Sequence, residues 1–196
     1  MHTIEPFYLW QDEYIVSKDK LSPFYGEKYN RYEYTHAIYN YLIHPEWDDI
    51  GSSTLFIKIL YAEYNLGFCI IELMGEWNDC LYNDIMYLKR NIIEILIHNN
   101  INKFILIGEN IFNFHSSDDC YYQEWSEEIE DGWIACINFK EYVIKEFEAE
   151  DINYYITFSK ELNDMSWRTF LPTQLFQRVS DLLTKRLIPN NRQQDN

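Results

Sequence analysis

Residues 104–107, Phe-Ile-Leu-Ile, form an unbroken apolar run set between Asn102-Lys103 and Gly108-Glu109-Asn110. Such a run, without polar alternation, fits a strand covered on both faces, as in a parallel sheet with helices on each side. Upstream, Leu81, Ile85, Leu88, Ile92 and Ile95 recur at steps of four and three, which predicts one apolar stripe on a helix over 81–98. Asn78 or Asp79 suits its N-cap, and Asn99-Asn100 suits a left-handed exit. A second apolar run, 68–74, precedes that helix, so the order is strand, helix, strand, with the two strands expected to run parallel.

The flanking segments extend this unit. Residues 54–62 and 68–74 are joined by Glu63-Tyr64-Asn65-Leu66-Gly67, a link whose Asn and Gly predict an antiparallel hairpin. Beyond the central run the expected elements are a short helix at 121–129, a strand at 133–138, a helix at 139–149 through Tyr142, Val143 and Phe147, and a last strand at 152–158. Residues 160–169 read as a polar loop, and Leu175, Val179, Leu182 and Leu183 line a final helix ending near 187. Residues 7–16 read as a short edge strand. At 32–43 a strand competes with the helical spacing of Tyr32, His36, Tyr39 and Ile43, and Pro45 closes the element under either reading. The expected fold is one three-layer α/β domain with a mixed sheet, an N-terminal antiparallel hairpin followed by βαβ units. Residues 1–53 form an aromatic-rich extension packed on it, and 188–196 a disordered tail.

The chain has 196 residues and a formal charge of −16, which repels phosphate backbones and anionic lipid surfaces. Nucleic-acid binding is disfavoured, no stretch is long and apolar enough for a membrane span, and a basic protein partner or a cation is compatible. Its 17 Tyr, 12 Phe and 6 Trp mean that much of the packing uses rings, many with a polar atom that needs a partner. Cys69, Cys80, Cys120 and Cys136 show no CxxC spacing, so reduced thiols in a cytoplasm are expected, with Cys69 and Cys136 as small core residues.

The strand-strand-helix-strand-helix-strand-helix order over about 54–187 resembles that of anti-sigma-factor antagonist domains and their lipid-binding relatives. Those domains carry an Asp-Ser phosphorylation motif after a central strand. The nearest match here, His115-Ser116-Ser117-Asp118, lacks the preceding Asp and the following Gly, so the resemblance does not imply phosphate transfer.

If the two central strands are parallel, the segments 75–79 and 108–125 leave the same carboxyl edge of the sheet, where ligands bind in open α/β folds. Both begin Gly-Glu, bringing Glu76 and Glu109 towards one place; Asp79, Asn110, His115, Asp118 and Asp119 complete the candidate ligand or metal set. Within it His115, Asp118 and Asp119 are the metal candidates, since imidazole and carboxylates suit a divalent cation such as Zn or Mn. The competing structural reading is a helix N-terminus capped by Ser116 or Ser117, with the two Asp residues facing the helix dipole. Cys120 lies among acids, which disfavours its thiolate. A second acidic turn, His44 with Glu46, Asp48 and Asp49, reads as a surface turn with Asx hydrogen bonds. No P-loop, GxGxxG or GxSxG is present. Trp77 and Trp125, placed in acidic loops, are candidate contact residues for a protein partner. Two functions follow as expectations: a non-catalytic ligand- or protein-binding regulatory module, or a metal-dependent hydrolase with its site at the carboxyl edge.

Overall fold

The computed structural model describes residues 2–30 and 32–187; the expected tail at 188–196 lies outside the described residues. The N-terminal part supplies β1 (His2–Ile4), β2 (Ala37–Ile38) and β3 (Tyr41–Ile43), which form a small sheet in the order β1-β3-β2. The main sheet contains β4 (Asp48–Asp49), β5 (Leu55–Glu63), β6 (Phe68–Asn78), β7 (Lys103–His115) and β8 (Trp133–Ile137), in that spatial order. β5 is antiparallel to β4 and β6, whereas β6, β7 and β8 are parallel, so the sheet is mixed. Helical segments α1 (Asp79–Tyr82), α2 (Asp84–Leu88) and α3 (Glu94–His98) make the first crossover. They are followed by α4 (Cys120–Glu128), α5 (Glu141–Ala149), α6 (Lys160–Asn163) and α7 (Pro172–Leu187). Among the described residues no helix is long and apolar enough to cross a membrane.

The apolar run at 104–107 is buried on both faces. Phe104 and Leu106 belong to a core shared with Ile85, Leu88, Ile92, Trp125, Val143 and Phe147, while Ile105 and Ile107 face a second core with Trp10, Leu162, Trp167, Leu175 and Val179. Successive strand residues point to opposite faces, so one sequence run feeds two helical layers. The described residues 7–30 add to the second layer through Trp10, whose indole Nε1 donates to the Phe170 carbonyl at 3.1 Å.

Several expected elements differ. Gly75 and Gly108 do not end their strands; β6 runs on to Asn78 and β7 to His115. Gly75 has φ +119, and a Cβ there would lie 2.1 Å from the Thr54 carbonyl oxygen, so it marks a bulge inside a strand, where register shifts between Gly75 and Glu76. At Gly108 a Cβ would fall 2.3 Å from the Phe139 ring, which lies over the strand.

The single helix expected over 81–98 is broken. Asn78 is the N-cap, its side chain accepting from Leu81 N at 3.0 Å, but Asn83 adopts φ +54 after one turn, leaving Leu81 74% exposed. A π turn at Lys89–Ile93 then inserts a residue and rotates the apolar face, so Ile93 and Leu96 are buried and Ile95 is exposed. Asn100, at φ +69, supplies the left-handed exit.

The last expected strand, 152–158, is replaced by a 3-10 turn at Ile152–Tyr154 and one parallel bridge between Ala135 and Thr157. Ile152 and Ile156 are drawn into the core instead. The loop expected at 160–169 contains α6 and a 3-10 turn at Trp167–Thr169, because Leu162 and Trp167 are buried anchors. Residues 7–16 are turns rather than an edge strand, and 32–43 holds the β2-β3 hairpin rather than one continuous element.

Candidate functional site

The carboxyl ends of β6 and β7 do run side by side, with Met74 paired to Asn110 and Gly75 to Ile111. Their acidic residues nevertheless enter separate networks. Glu109 accepts from Asn138 Nδ2 and Trp167 Nε1, both at 2.9 Å, and pairs with Arg168 Nη1 at 2.5 Å. Beside it Glu72, in the middle of β6, accepts from the Phe7 amide at 2.8 Å and from Asn110 Nδ2 at 3.4 Å. Glu76 takes a hydrogen bond from Tyr39 Oη and lies 3.1 Å from His115 Nε2; Asn113 Nδ2 donates in turn to Tyr39 Oη at 2.9 Å. Asp79 is buried and accepts from Trp77 Nε1, the Ile85 amide and Tyr122 Oη at 3.1, 2.8 and 2.5 Å. The expected convergence of Glu76, Asp79 and Glu109 is thus not formed, because bulges and neighbouring elements give each carboxylate its own donors.

Nor are His115, Asp118 and Asp119 gathered. Asp118 accepts from the Cys120 amide at 3.1 Å at the start of α4, and Asp119 accepts from Tyr155 Oη at 2.8 Å. The Asp118 carboxylate also raises the Cys120 thiol. Among the described residues the acids whose ligand atoms do converge are Glu94, Glu124 and Glu128. They surround Lys89 Nζ at 3.3, 3.7 and 2.7 Å, and Arg90 grips Glu124 with two nitrogens, so protein cations already neutralise that trio. Trp77 and Trp125 are fully buried, so neither presents a contact surface: Trp77 packs edge-on to Phe114 and Phe147, and Trp125 edge-on to Phe104.

The more open arrangement lies where residues 24–47 meet β4 and β5. The acidic turn at 44–49 is not a surface turn throughout. Asp49 makes the expected Asx bond, accepting from the Gly51 amide at 2.7 Å, but His44, Trp47 and Asp48 are buried. Asp48 is only 2% exposed, opposite Ile57 in the sheet. Lys58 reaches it from β5, with Nζ 3.2 Å from Asp48 Oδ1 and 2.7 Å from the Glu46 carbonyl, and lies 3.9 Å from the centre of the Tyr29 ring. Tyr29 Oη donates to the same Asp48 oxygen. Among the described residues Asp48 Oδ2 has no hydrogen-bond partner. Burial pushes the Asp48 carboxyl up to about 6, against the opposing pull of Lys58, and burial lowers Lys58. A cavity of about 520 Å³ lies alongside, with Phe24, Tyr29, His36, His44, Trp47 and Phe56 among its lining residues; the Asp48 side chain is fully buried and does not open into it. That volume falls in the range of small-molecule sites, roughly 300–1,000 Å³.

Lys58 and Glu72 did not figure in the expected site. Their signal was present: each is a lone ionisable residue within an apolar strand, FIKIL and CIIEL, and burying a charge demands a partner. Burial lifts Glu72 to about 7, opposed by the Phe7 amide and Arg168, and lifts Asp79 to about 7 despite its three donors. Between their ordinary values of 4.5 and 3.8 and about 7, the folded chain holds protons that the unfolded chain has released. Stability from these groups is therefore present at low pH and is lost as pH rises through about 7. Thermal unfolding should give a higher midpoint at about pH 5.5 than at about pH 8, and Asp79→Asn should flatten that slope. Equal midpoints for the unsubstituted chain at the two pH values would contradict the assignment.

Fold and geometry together define an α/β protein with a mixed sheet and a cavity lined by residues between 24 and 56. Among solved structures the chain is similar to the anti-sigma factor antagonist SpoIIAA in its unphosphorylated form, with 13% identity and a TM-score of 0.44 over 64% of this chain and 96% of that one. No protein-family model and no curated protein matches the chain.

Proposed function

We propose that this chain is a non-catalytic binding module for a small ligand, which it holds in the cavity beside Asp48. The observation that carries this reading is the cavity of about 520 Å³ itself, with Phe24, Tyr29, His36, Trp47 and Phe56 among its lining residues. The carboxyl edge supports a reaction less well: Glu109, Asp79, Asp118 and Asp119 are each committed to internal donors.

Ligand-observed and amide-detected NMR on the full chain, with a fragment library of mixed charge, tests this reading. Fragments are expected to shift the Trp47 indole and the amides of 44–51. Responses clustered at the carboxyl edge instead, or none at all, would remove the cavity from consideration.

A further inference from the structure

We infer that the carboxyl edge of the sheet carries a docking surface for a partner protein, which it meets through a basic segment whose arginine side chains lie on exposed, pre-set tyrosine rings. None of the residues of this surface lines the cavity described above, so the two readings stand or fall separately.

The centre of the surface is Phe112, near the end of β7. Tyr41 stacks on the Phe112 ring with centroids 5.0 Å apart, and Tyr39 meets it edge-on at 6.0 Å. From α5, Tyr142 Oη donates to the Phe112 carbonyl at 2.8 Å. Tyr39 stands in the β2-β3 turn at φ +52; its hydroxyl donates to Glu76 at 3.1 Å and accepts from Asn113 at 2.9 Å. Tyr39 is nevertheless 60% exposed and Tyr142 48%. Both hydroxyls are engaged within the chain, so what these side chains offer outward is chiefly ring. Rings already fixed in place give up little side-chain entropy when a partner covers them, which separates them from exposed rings that turn freely.

The occupant follows from charge. Lys140 shows the preference of this surface within the chain itself, its ammonium lying 4.8 Å from the centre of the Phe112 ring. Beside the rings, Glu76 joins Tyr39 to His115, and His115 lines a hollow of about 330 Å³ together with Cys80, Glu146 and Glu150. The cations that α5 and its N-cap contribute are engaged, Lys140 with the Ile111 carbonyl and Lys145 with Glu141. An anionic segment would be repelled here by a chain of formal charge −16. An apolar segment would cover the rings but desolvate carboxylates without pairing them. Arginine answers both, since its planar guanidinium stacks on a ring face and forks onto a carboxylate.

Two probes of one shape test this on the full chain: the acetylated, amidated peptide Gly-Arg-Gly-Gly-Arg-Gly and its counterpart with citrulline in place of arginine. Amide shifts are followed by NMR. The arginine peptide is expected to shift 39–41, 112–115 and 142–150, and to bind at least about tenfold more tightly than the citrulline peptide. Tyr142→Ala and Tyr39→Asn remove rings and keep every charge; each is expected to weaken the arginine peptide by at least about fivefold. Asn tolerates the left-handed turn at 39, and alanine suits the exposed face of α5 at 142, so at least the second variant keeps the fold.

Equal affinity for the two peptides overturns the choice of a basic partner. Binding that both ring substitutions leave unchanged, or shifts scattered over acidic stretches such as 124–131 with no centre at Phe112, means attraction to net charge alone and overturns the docking surface. Absence of any response to the arginine peptide at about 1 mM overturns it as well. The cavity reading is untouched by each of these results, because its own readout is the Trp47 indole and 44–51.

Discussion

Phe147→Ala is expected to lower the unfolding free energy by about 3–5 kcal/mol, the range for removing a fully buried Phe from a packed core. Phe147 projects from α5 into a cluster of stacked and edge-on rings. Its centroid lies 3.6 Å from Phe114 in a stacked pair, 5.4 Å from Trp77 in an edge contact and 5.3 Å from Phe158. Tyr122 and Phe139 stand edge-on at 6.4 and 6.2 Å. Surrounded by rigid rings rather than adaptable aliphatic chains, the cavity left by alanine collapses poorly, which favours the upper part of that range. Urea unfolding followed by fluorescence reads the midpoint, and Phe147→Leu should lose clearly less. A loss below about 1 kcal/mol for the alanine variant would show that this cluster does not hold α5 on the sheet.

The second large effect is expected at Asp84. This fully buried carboxylate at the start of α2 accepts from Ser52 Oγ at 2.5 Å, Thr54 Oγ1 at 2.8 Å and the Asn78 amide at 2.7 Å. Alanine would leave three donors without their acceptor, at roughly 1–3 kcal/mol each when they stay dry. Some of that is offset because the burial that raises the Asp84 pKa is itself a cost that disappears with the carboxylate. The donors outweigh the relief, and a net loss of about 3–5 kcal/mol is expected for Asp84→Ala. Asp84→Asn, which keeps acceptor capacity, should lose less, and the amides of 52–54 should lose protection from hydrogen exchange in the alanine variant first. Wild-type stability for Asp84→Ala would refute the view that this side chain ties the 52–54 turn to the end of β6.

The parts of the fold that were legible in the sequence were those set by short-range patterns. The apolar run at 104–107, the hairpin link ending in Gly67, the Asn78 cap and the Asn100 exit each depend on residues close in the chain. The broken crossover was not legible, since a π turn adds one residue to a helical period without a marker such as Pro. The role of Gly75 was not legible, because in sequence a glycine that ends a strand and one that bulges it are alike, and only the Thr54 carbonyl packed against it tells them apart.

The site depended still more on distant contacts. Asp48 receives Tyr29 from 19 residues upstream and Lys58 from 10 downstream, and only their meeting distinguishes a buried acid from a solvated one. Trp77 and Trp125 carried the same ambiguity in reverse. Both sit beside acidic residues in the chain, yet their own strand and helix turn them inward.

The flank of the main sheet beside the cavity is unusually thin. β5 spans nine residues, while its outer neighbour β4 contributes two, Asp48 and Asp49, paired with Ile57 and Phe56. A strand so briefly covered offers backbone groups that another strand can pair with, so loosening β4 is expected to raise both deuterium uptake at 55–58 and self-association.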